Sequence, residues 1–323
     1  MDAPGLPDPR LIDRFQRHLN YLRISITDRC NLSCIYCMPR ELVPKLHHAD
    51  ILSYEEIMRI VEVGRRLGIT KLRVTGGEPL VRKGVYAFLA DLTRLDGIRD
   101  VSLTTNGMLL AANVDRIAGA GIRRVNVSLD SLRPDRFARI TGHDGFDDVW
   151  RGLMGALEAG LSPVKINVVA LAGVNEDELV DMAALTRRYP FHVRFIEHMP
   201  IGQAAYRSAH PLRIPDIRRR LAPLGPLEAV DRKAQDGPAE CFRLSGAPGT
   251  VGFIGALSSH FCARCNRLRL TASGQLRPCL LSSYEIDLRK PLREGAERAR
   301  SPRCWHRALT RNRLDITWTS ATR

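Results

Sequence analysis

Six strand-like segments alternate with helix-like segments over residues 1–200 of this 323-residue chain, and this alternation constrains the fold more than any other feature. The strands are predicted at 21–27, 71–75, 100–104, 123–130, 164–171 and 192–197. The helix after the first strand has a capping-box pattern at Ser53 and Glu56, and several later helices end at a glycine. Repeats of this kind build a parallel α/β sheet that is either open or curled into a barrel.

The predicted strands are polar at every second position, which is unusual because both faces of a parallel sheet are normally apolar. One face carries residues such as Arg23, Arg73 and Lys165, whereas the alternating positions are aliphatic and would face the helices. Burying so many charges without a ligand would be costly. We therefore expect a curled sheet that encloses a polar, anion-binding cavity. The alternative is a polar face that is open to solvent.

The strand–helix rhythm ends near Met199, and the next stretch, up to residue 249, is rich in Pro, Gly and Arg. One helix is predicted near 216–221, followed by short strands at 250–254, 267–271 and 275–279. We therefore predict three parts, which are a barrel over 1–200, a C-terminal subdomain over 201–288 and a basic tail over 289–323.

The formal net charge of +14 points to an anionic partner. Residues 289–323 hold ten Lys or Arg against three Asp or Glu, which is half of the excess. Elsewhere the basic residues alternate within strands and aromatic residues make up only 6%, so a small phosphorylated substrate fits better than nucleic acid. The sequence has no long apolar run and no signal-peptide core, which predicts a cytoplasmic protein without a membrane partner.

Two groups of three cysteines indicate metal sites. Cys30, Cys34 and Cys37 directly follow the first strand, in a chain without a secretory signal, which favours a soft-metal site over disulfides. Three thiols leave one position open, because a zinc site or a cubic iron–sulfur cluster normally takes four protein donors. The alternatives are ordinary buried thiols or half of a structural zinc site.

The second group comprises Cys262, Cys265 and Cys279. It also lacks a fourth thiol within its own pattern. A structural zinc site stays an alternative here, with His260 or Cys241 as the fourth donor.

Polar residues gather where the predicted strands end, which is the rim that holds the catalytic groups of βα barrels. The turn Gly76-Gly77-Glu78-Pro79 would let a ligand approach bare backbone while Glu78 offers a carboxylate to an ammonium group. The alternative is a structural turn in which the proline begins a helix.

The first cysteine group, with Tyr36 before its third cysteine and the Gly-Gly-Glu-Pro turn on the next strand, resembles the radical S-adenosylmethionine enzymes. Together with the stretch from Cys262 to Arg269, the chain resembles the GTP 3′,8-cyclases of molybdenum cofactor biosynthesis from about Leu19 to Leu288. The resemblance implies an incomplete (β/α)6 parallel barrel of the radical S-adenosylmethionine type with a C-terminal α+β subdomain. It also implies two [4Fe-4S] clusters and S-adenosylmethionine as cofactors.

The resemblance assigns roles to individual residues. The first cysteine group would hold the cluster that binds S-adenosylmethionine, and the second group a cluster whose open iron binds the guanine of GTP. The cofactor-contacting positions are Tyr36, Gly76, Gly77, Glu78, Ser128 and Met199. The GTP-contacting positions are Arg23, Arg73, Thr104, Lys165, Arg267 and Arg269, and the last two are also the catalytic candidates.

The implied reaction converts GTP to 3′,8-cyclo-7,8-dihydroguanosine triphosphate. In the family, a 5′-deoxyadenosyl radical takes hydrogen from C3′ of the ribose, and the C3′ radical then attacks C8 of guanine. The implied partners are cyclic pyranopterin monophosphate synthase, which takes the product, and a reductant protein such as flavodoxin or ferredoxin. The resemblance also allows a homodimer.

The C-terminal tail departs from the family. Members usually finish with a Gly-Gly pair that reaches the active site, whereas this chain finishes Thr319-Ser320-Ala321-Thr322-Arg323. Because of this departure, the resemblance does not predict full cyclase activity. Two other functions stay open. One is a different radical S-adenosylmethionine enzyme with an auxiliary cluster, and the other is a non-enzymatic zinc or nucleic-acid-binding protein.

Overall fold

The computed structural model describes residues 11–13, 16–37, 45–199, 206–231, 237–259, 261–281 and 284–294. His260 and the chain end at 319–323, both of which entered the sequence predictions, lie outside these residues. No helix in the described part of the chain is long and apolar enough to cross a bilayer.

Six parallel strands form the centre of the molecule, and they lie side by side in the order of the chain. The strands are β1 Tyr21–Ser25, β2 Lys71–Thr75, β3 Asp100–Thr105, β4 Arg124–Ser128, β5 Val164–Ala170 and β6 His192–Glu197. The helices between and after them are α1 Tyr54–Arg66, α2 Val85–Arg94, α3 Val114–Gly119, α4 Pro134–Thr141, α5 Phe146–Glu158 and α6 Leu179–Arg188. All six predicted strands are confirmed, with ends that differ from the prediction by no more than two residues.

The C-terminal part of the chain extends this sheet at both edges. Its elements are α7 Ile214–Arg220, β7 Leu227–Ala229, β8 Glu240–Leu244, β9 Thr250–Ile254, β10 Arg267–Leu270, β11 Gln275–Arg277, β12 Ile286–Asp287 and α8 Arg289–Arg293. Strand β10 pairs in parallel with β1, β9 pairs in parallel with β6, and the outer strands are antiparallel. The predicted C-terminal strands therefore do not form a sheet of their own. They add strands to both edges of the barrel sheet.

The two faces of the sheet differ as the sequence predicts. The apolar face is fully buried, for example at Leu22, Val74, Leu103, Val125 and Ile166. On the other face, Arg23 of β1 lies in register with Arg73 of β2, and Arg73 with Ser102 of β3. Asn126 and Lys165 on this polar face are also buried. The polar face is therefore enclosed, and the alternative of a solvent-exposed face is wrong.

Helix α1 begins at the predicted capping box. The Glu56 N–H donates to the hydroxyl of Ser53 (3.2 Å), and the Ser53 N–H donates to the Glu56 carboxylate (2.8 Å). The start of the predicted basic tail packs nearby, because Arg289 donates to Asp50 (2.9 Å) and Arg293 to Glu56 (2.6 Å). The described part of the tail is therefore attached to the barrel.

Candidate active site with two cysteine groups

The first cysteine group lies in the loop after β1 and packs against the turn that follows β2. The Gly77 N–H donates to the Thr27 carbonyl (2.7 Å), and the Glu78 N–H donates to the Arg29 carbonyl (2.8 Å). A Cβ atom at Gly77 would collide with that Arg29 carbonyl, and one at Gly76 would lie 2.8 Å from the Thr27 oxygen. The two glycines are therefore required by the close approach of the cysteine loop.

The opposite side of the cysteine loop is fixed by two other segments. The Ser33 N–H donates to the Thr141 carbonyl (2.7 Å), and the Ile35 N–H donates to the Ile140 carbonyl (2.9 Å) at the end of α4. The Tyr206 N–H, beyond β6, donates to the Ile35 carbonyl (2.9 Å). Three segments distant in sequence thus hold the loop in place.

The three thiols of this loop are not joined in disulfide bonds, and they are close enough to influence one another. Cys30 and Cys34 are half-buried, whereas Cys37 is exposed. Burial raises the pKa of the Cys34 thiol, and the negative charges of Asp130, Cys37 and Cys30 raise it further. Three thiolates this close repel one another unless positive charge lies between them. This donor set therefore fits an iron–sulfur cluster with one open coordination position.

Tyr36 connects the cysteine loop to the end of β4. Its hydroxyl donates to the Asp130 carboxylate (2.6 Å), which also accepts from the Val169 N–H (2.7 Å). Burial raises the pKa of Asp130 to about 6, although both hydrogen bonds lower it. Burial, followed by the charge of Asp130, raises the pKa of Tyr36 well above its usual value. The hydroxyl of Tyr36 is thus engaged with the protein, and its contact with a cofactor stays a prediction.

Glu78 is fully buried and its carboxylate binds protein groups. It accepts hydrogen bonds from the Asn106 N–H (2.6 Å), the Thr105 hydroxyl (2.8 Å) and the Leu80 N–H (3.0 Å). Burial raises the pKa of Glu78 to about 7, against the lowering effect of these three donors. The carboxylate therefore holds the turns after β2 and β3 together, and its predicted contact with an ammonium group stays a prediction.

The second cysteine group lines a cavity in the opening of the barrel. Cys262 and Cys265 lie on the segment that joins β9 to β10, and Cys279 follows β11. Burial raises the pKa of Cys262, as do the negative charges of Cys279 and Cys265. The cavity encloses about 1080 Å³ of empty space, part of it open to solvent. Its walls also include Arg17, Arg23, Ile196, Met199, Arg267 and Arg269.

Arg23, Arg267 and Arg269 lie on one wall of this cavity, which we call the cationic wall. Arg269 of β10 lies in register with Arg23 of β1, which lies in register with Arg73 of β2. Burial lowers the pKa of Arg23 well below its usual value, and Arg269 lowers it further. Burial, and then Arg267, lower the pKa of Arg269 to about 10. Arg23 Nε is buried without a hydrogen-bond partner in the described structure. The arrangement is costly for the protein alone and suits a polyanion.

Three further residues lie beside these arginines, although none of them was predicted to contact the substrate. They are Tyr21, Lys71 and Arg17. Tyr21 is buried in register with Arg267 and Lys71, and the Lys71 ammonium lies 4.9 Å from the centre of its ring. The alternation along β2 places Lys71 on the polar face with Arg73, and the same alternation along β1 could have identified Tyr21, which shares a face with Arg23. Arg17 binds Asp13 and the carbonyl of Cys262, and no periodic pattern marks it.

The structure brings only some of the predicted residues to this cavity. Arg23, Arg267, Arg269 and Met199 line it with the second cysteine group. Arg73 does not line the cavity but lies in register with Arg23, which does. Thr104 and Lys165 lie on the polar face of β3 and β5. The hydroxyl of Thr104 is buried and lacks a hydrogen-bond partner within the described residues. Ser128 lies on the same polar face, at the end of β4.

Glu197, at the end of β6, fixes the segment that carries Cys262 and Cys265. Its carboxylate accepts from the N–H groups of Ile214 (2.8 Å), Leu257 (2.7 Å) and Ser258 (3.0 Å), and from the Ser258 hydroxyl. Burial raises the pKa of Glu197, but these hydrogen bonds outweigh burial and lower it overall. This residue was missed because two of its partners, Leu257 and Ser258, are 60 and 61 positions away in sequence.

Two family models cover most of the chain. Residues 24–186 match the Radical SAM superfamily and residues 191–317 match Molybdenum Cofactor Synthesis C. The GTP 3′,8-cyclase of Pelotomaculum thermopropionicum is 54% identical over 288 residues, which is 88% of each chain. This chain belongs to the GTP 3′,8-cyclase family. The family relative from Heliobacterium modesticaldum is 52% identical over 289 residues and is also covered to 88%.

Family membership confirms the predicted radical S-adenosylmethionine fold and implies one [4Fe-4S] cluster and S-adenosylmethionine. Among solved structures, Streptococcus suis SuiB bound to S-adenosylmethionine has a TM-score of 0.63 at 14% identity, over 85% of this chain and 64% of that chain. At this identity the likeness concerns the fold alone. The second family match continues to residue 317, past Leu288, where the resemblance was expected to end.

Proposed function

We propose that this chain is a GTP 3′,8-cyclase, which converts GTP to 3′,8-cyclo-7,8-dihydroguanosine triphosphate in the first step of molybdenum cofactor biosynthesis. The observation that carries the proposal is the cavity in which the second cysteine group meets the in-register arginines. The relatives that are more than half identical to this chain carry this same activity in their names.

Cys30, Cys34 and Cys37 would hold the [4Fe-4S] cluster that binds S-adenosylmethionine. When bound, this pair supplies one-electron chemistry that ends in abstraction of a hydrogen atom from the substrate. The chain contributes the geometry of the site. The turn containing Gly76 and Gly77 packs directly on the cysteine loop, and Tyr36 ties that loop to Asp130. Ser128 and Met199, at the ends of β4 and beyond β6, are the further proposed contacts of the cofactor.

Cys262, Cys265 and Cys279 would hold a second [4Fe-4S] cluster whose open position takes the guanine base. Three thiols on one cavity wall support this assignment, because they again leave one coordination position for a ligand. A single zinc ion needs a fourth donor, for which the sequence offers Cys241 or His260. Cys241 lies on β8, outside the lining of the cavity, and His260 lies outside the described residues.

The triphosphate would be bound by the cationic wall. Arg267 and Arg269 are two residues apart on β10 and share one face, and Arg17 also lines the cavity. Bidentate guanidinium contacts fix an anion in direction as well as in charge. Arg23, Arg73, Thr104 and Lys165 are the remaining proposed substrate contacts. Such fixing would hold the ribose and the base in the bent geometry that joining C3′ to C8 requires.

The partners are proposals of the same kind. A cyclic pyranopterin monophosphate synthase would use the cyclised triphosphate, a flavodoxin or ferredoxin would supply electrons, and two copies of the chain would form a homodimer. The division into 1–200, 201–288 and 289–323 also stays a proposal, although the strands of the second part share the barrel sheet.

Anaerobic reconstitution tests the proposal. We expect about eight irons per chain, which is two cubane clusters, and formation of the cyclised triphosphate from GTP, S-adenosylmethionine and a reductant. Zinc in place of iron would contradict the proposal. Cleavage of S-adenosylmethionine without binding of GTP would indicate a radical enzyme that acts on another substrate.

A pair of variants makes the test specific to the cavity. Arg267→Ala should weaken GTP binding about tenfold or more, while cleavage of S-adenosylmethionine without substrate persists. Arg94→Ala, on the exposed end of α2, is the matched control and should bind GTP like the unchanged protein. Loss of both activities in Arg267→Ala would indicate misfolding, which circular dichroism would reveal.

A further inference from the structure

Arg17 lines the cavity, but its guanidinium is bound by protein groups on two sides. Its Nε donates to the Asp13 carboxylate (2.7 Å), and its Nη2 binds the same carboxylate. Its Nη1 donates to the carbonyl of Cys262. A guanidinium that is paired with a carboxylate offers little net charge to an anionic substrate. Arg17 is therefore better suited to hold the protein together than to bind a triphosphate.

The ion pair of Asp13 and Arg17 is withdrawn from water. The Asp13 side chain is fully buried, and the Arg17 side chain is only 11% exposed. Backbone groups join the same pair, because the Arg17 N–H donates to the Asp13 carboxylate (3.0 Å) and the Asp13 N–H donates to the Arg17 carbonyl (3.1 Å). A buried ion pair is costly unless further hydrogen bonds satisfy it. These contacts therefore fix the guanidinium in one position.

The chain on both sides of this pair is anchored to the barrel. Leu11 and Leu19 are buried in the hydrophobic core. The Leu19 N–H donates to the Leu11 carbonyl (2.8 Å), and the Leu11 N–H donates to the Leu67 carbonyl at the end of α1 (3.0 Å). Any group that Arg17 binds is therefore held in place relative to the barrel.

The carbonyl that Arg17 binds belongs to the turn that carries two thiols of the second cysteine group. The same Cys262 carbonyl accepts from the Cys265 N–H (3.1 Å), which closes this turn. The residue after the turn is held in a similar way, because the side-chain amide of Asn266 donates to the side-chain oxygen of Asn20 (2.7 Å). Residues that precede β1 therefore hold both ends of the turn.

We propose that Arg17, oriented by Asp13, is a positioning residue for the second metal centre, and this inference rests on the proposed function. Arg17 acts through the backbone of Cys262, whose carbonyl it fixes. It thereby sets the direction in which the Cys262 and Cys265 thiols point. Loss of a hydrogen bond that orients a metal ligand typically lowers metal affinity about 10- to 100-fold.

Hydrogen exchange in the metal-free protein tests the contact itself. The variant Asp13→Asn/Arg17→Met, which we call the neutral variant, removes the ion pair without leaving a buried carboxylate unpaired. Exchange at the Cys265 N–H should become about tenfold or more faster, because its acceptor carbonyl is no longer fixed. An unchanged exchange rate would overturn the proposal.

The matched control is Arg136→Met/Glu178→Gln, which removes another largely buried ion pair. The Arg136 side chain is 12% exposed, and its partner Glu178 is 1% exposed. This control should leave exchange at the Cys265 N–H unchanged. Equally fast exchange at Cys265 in the control would mean that any lost ion pair loosens this turn, which would also overturn the proposal.

Iron release measures the effect on the metal centre. The background Cys30→Ala/Cys34→Ala/Cys37→Ala removes the first thiols, so reconstituted iron should be about four per chain and belong to the second group. A chelator should remove this iron about tenfold or more faster from the neutral variant. The electron paramagnetic resonance spectrum of the reduced centre should also change. Release at the rate of the unchanged protein would contradict the positioning role.

Arg17→Lys separates positioning from a general effect on stability. Lysine keeps the charge beside Asp13 but lacks the planar fork that donates to two acceptors at once. Its urea midpoint should stay close to that of the unchanged protein, whereas exchange at Cys265 and iron release should both be faster. Iron release that follows the urea midpoint in all variants would show that the role is merely structural. If the second group binds zinc, or GTP is not cyclised, the proposed function fails, and the exchange experiment still decides the role of Arg17.

Discussion

Arg23 of β1 lies directly opposite Arg269 of β10, in register on two parallel strands that are far apart in sequence. Like charges opposite each other destabilise a sheet. Both guanidinium groups are largely removed from water, which adds to the cost. The pair therefore lowers the stability of the ligand-free protein, but it provides an anion-binding site that is already formed before the ligand binds.

The first prediction follows from this pair. Arg269→Met should raise the free energy of unfolding of the ligand-free protein by up to about 1 kcal/mol, because it removes a like-charge contact and keeps the volume. The same variant should bind GTP about tenfold or more weakly. Urea unfolding and calorimetric titration with GTP measure the two effects. Arg94→Met is the control, and a variant of Arg269 that is both less stable and unchanged in GTP affinity would contradict the prediction.

The second prediction concerns Tyr36 and Asp130. Tyr36→Phe should lower the free energy of unfolding by about 2 kcal/mol, because the buried Asp130 carboxylate loses its hydroxyl donor. In an Asp130→Asn background the same change should cost less than about 1 kcal/mol, which gives a coupling of at least about 1 kcal/mol. Urea unfolding of the four proteins measures this cycle.

The control for that cycle is Tyr54→Phe, whose hydroxyl donates to the Lys83 carbonyl at the surface (3.2 Å). Its effect should be the same with and without Asp130→Asn. Equal losses for Tyr36→Phe in both backgrounds would show that the hydrogen bond does not fix the cysteine loop.

The third prediction is a pH dependence that depends on Glu78. Its pKa is 4.5 when unperturbed and about 7 in the fold, so between these values the native protein binds more protons than the unfolded chain. The contribution of Glu78 to stability is therefore complete below about pH 4.5 and is lost as pH rises through 7. The loss amounts to about 3 kcal/mol over this range.

Urea unfolding of the ligand-free protein at several values between about pH 5 and about pH 7 checks the sign. Glu78→Gln should be less stable throughout, since the Asn106 N–H loses an acceptor, and its stability should fall less steeply with pH. Glu158→Gln, at an exposed position on α5, should keep the slope of the unchanged protein. Parallel curves for Glu78→Gln and the unchanged protein would refute the assignment.

The fourth prediction concerns Glu197 and the second cysteine group. Glu197→Ala removes the acceptor for Ile214, Leu257 and Ser258, so it should cost about 3 kcal/mol of stability. The segment that carries Cys262 and Cys265 should then be less ordered. Reconstituted iron should fall from about eight to about four per chain, with the first cluster retained.

Electron paramagnetic resonance of the reduced protein, together with iron analysis, separates the two clusters in this experiment. Glu197→Gln keeps one side-chain carbonyl oxygen as an acceptor and should retain more of the proposed second cluster. Loss of both clusters in proportion would mean that Glu197 supports the whole fold rather than this segment.

Much of the fold follows from local sequence rules. The alternation of residues such as Arg23 and Arg73 with aliphatic neighbours gives the strands, their faces and the polar interior, because side chains alternate along a strand. The same rule places Lys71 on the polar face and would have added Tyr21 to it. Short-range patterns likewise identify the capping box at Ser53 and the two cysteine groups.

The long-range contacts could not be predicted in this way. Tyr36 and its acceptor Asp130 are 94 residues apart, and nothing in either local pattern indicates the other. The pairing of β10 with β1 and of β9 with β6 is equally non-local, since a short strand can join either edge of an existing sheet without any change in its own pattern. The role of Glu78 could not be predicted either, because it depends on burial and on three hydrogen bonds that the local sequence does not indicate.

The segment 255–266 joins β9, beside β6, to β10, beside β1, so it runs from one edge of the parallel strands to the other. It therefore connects the two edges of the parallel strands, and two of the thiols, Cys262 and Cys265, lie on this connection. A widening of the sheet at these two edges would therefore shift both thiols. Exchange of a ligand in the cavity and the spacing of the second cysteine group are thus mechanically linked.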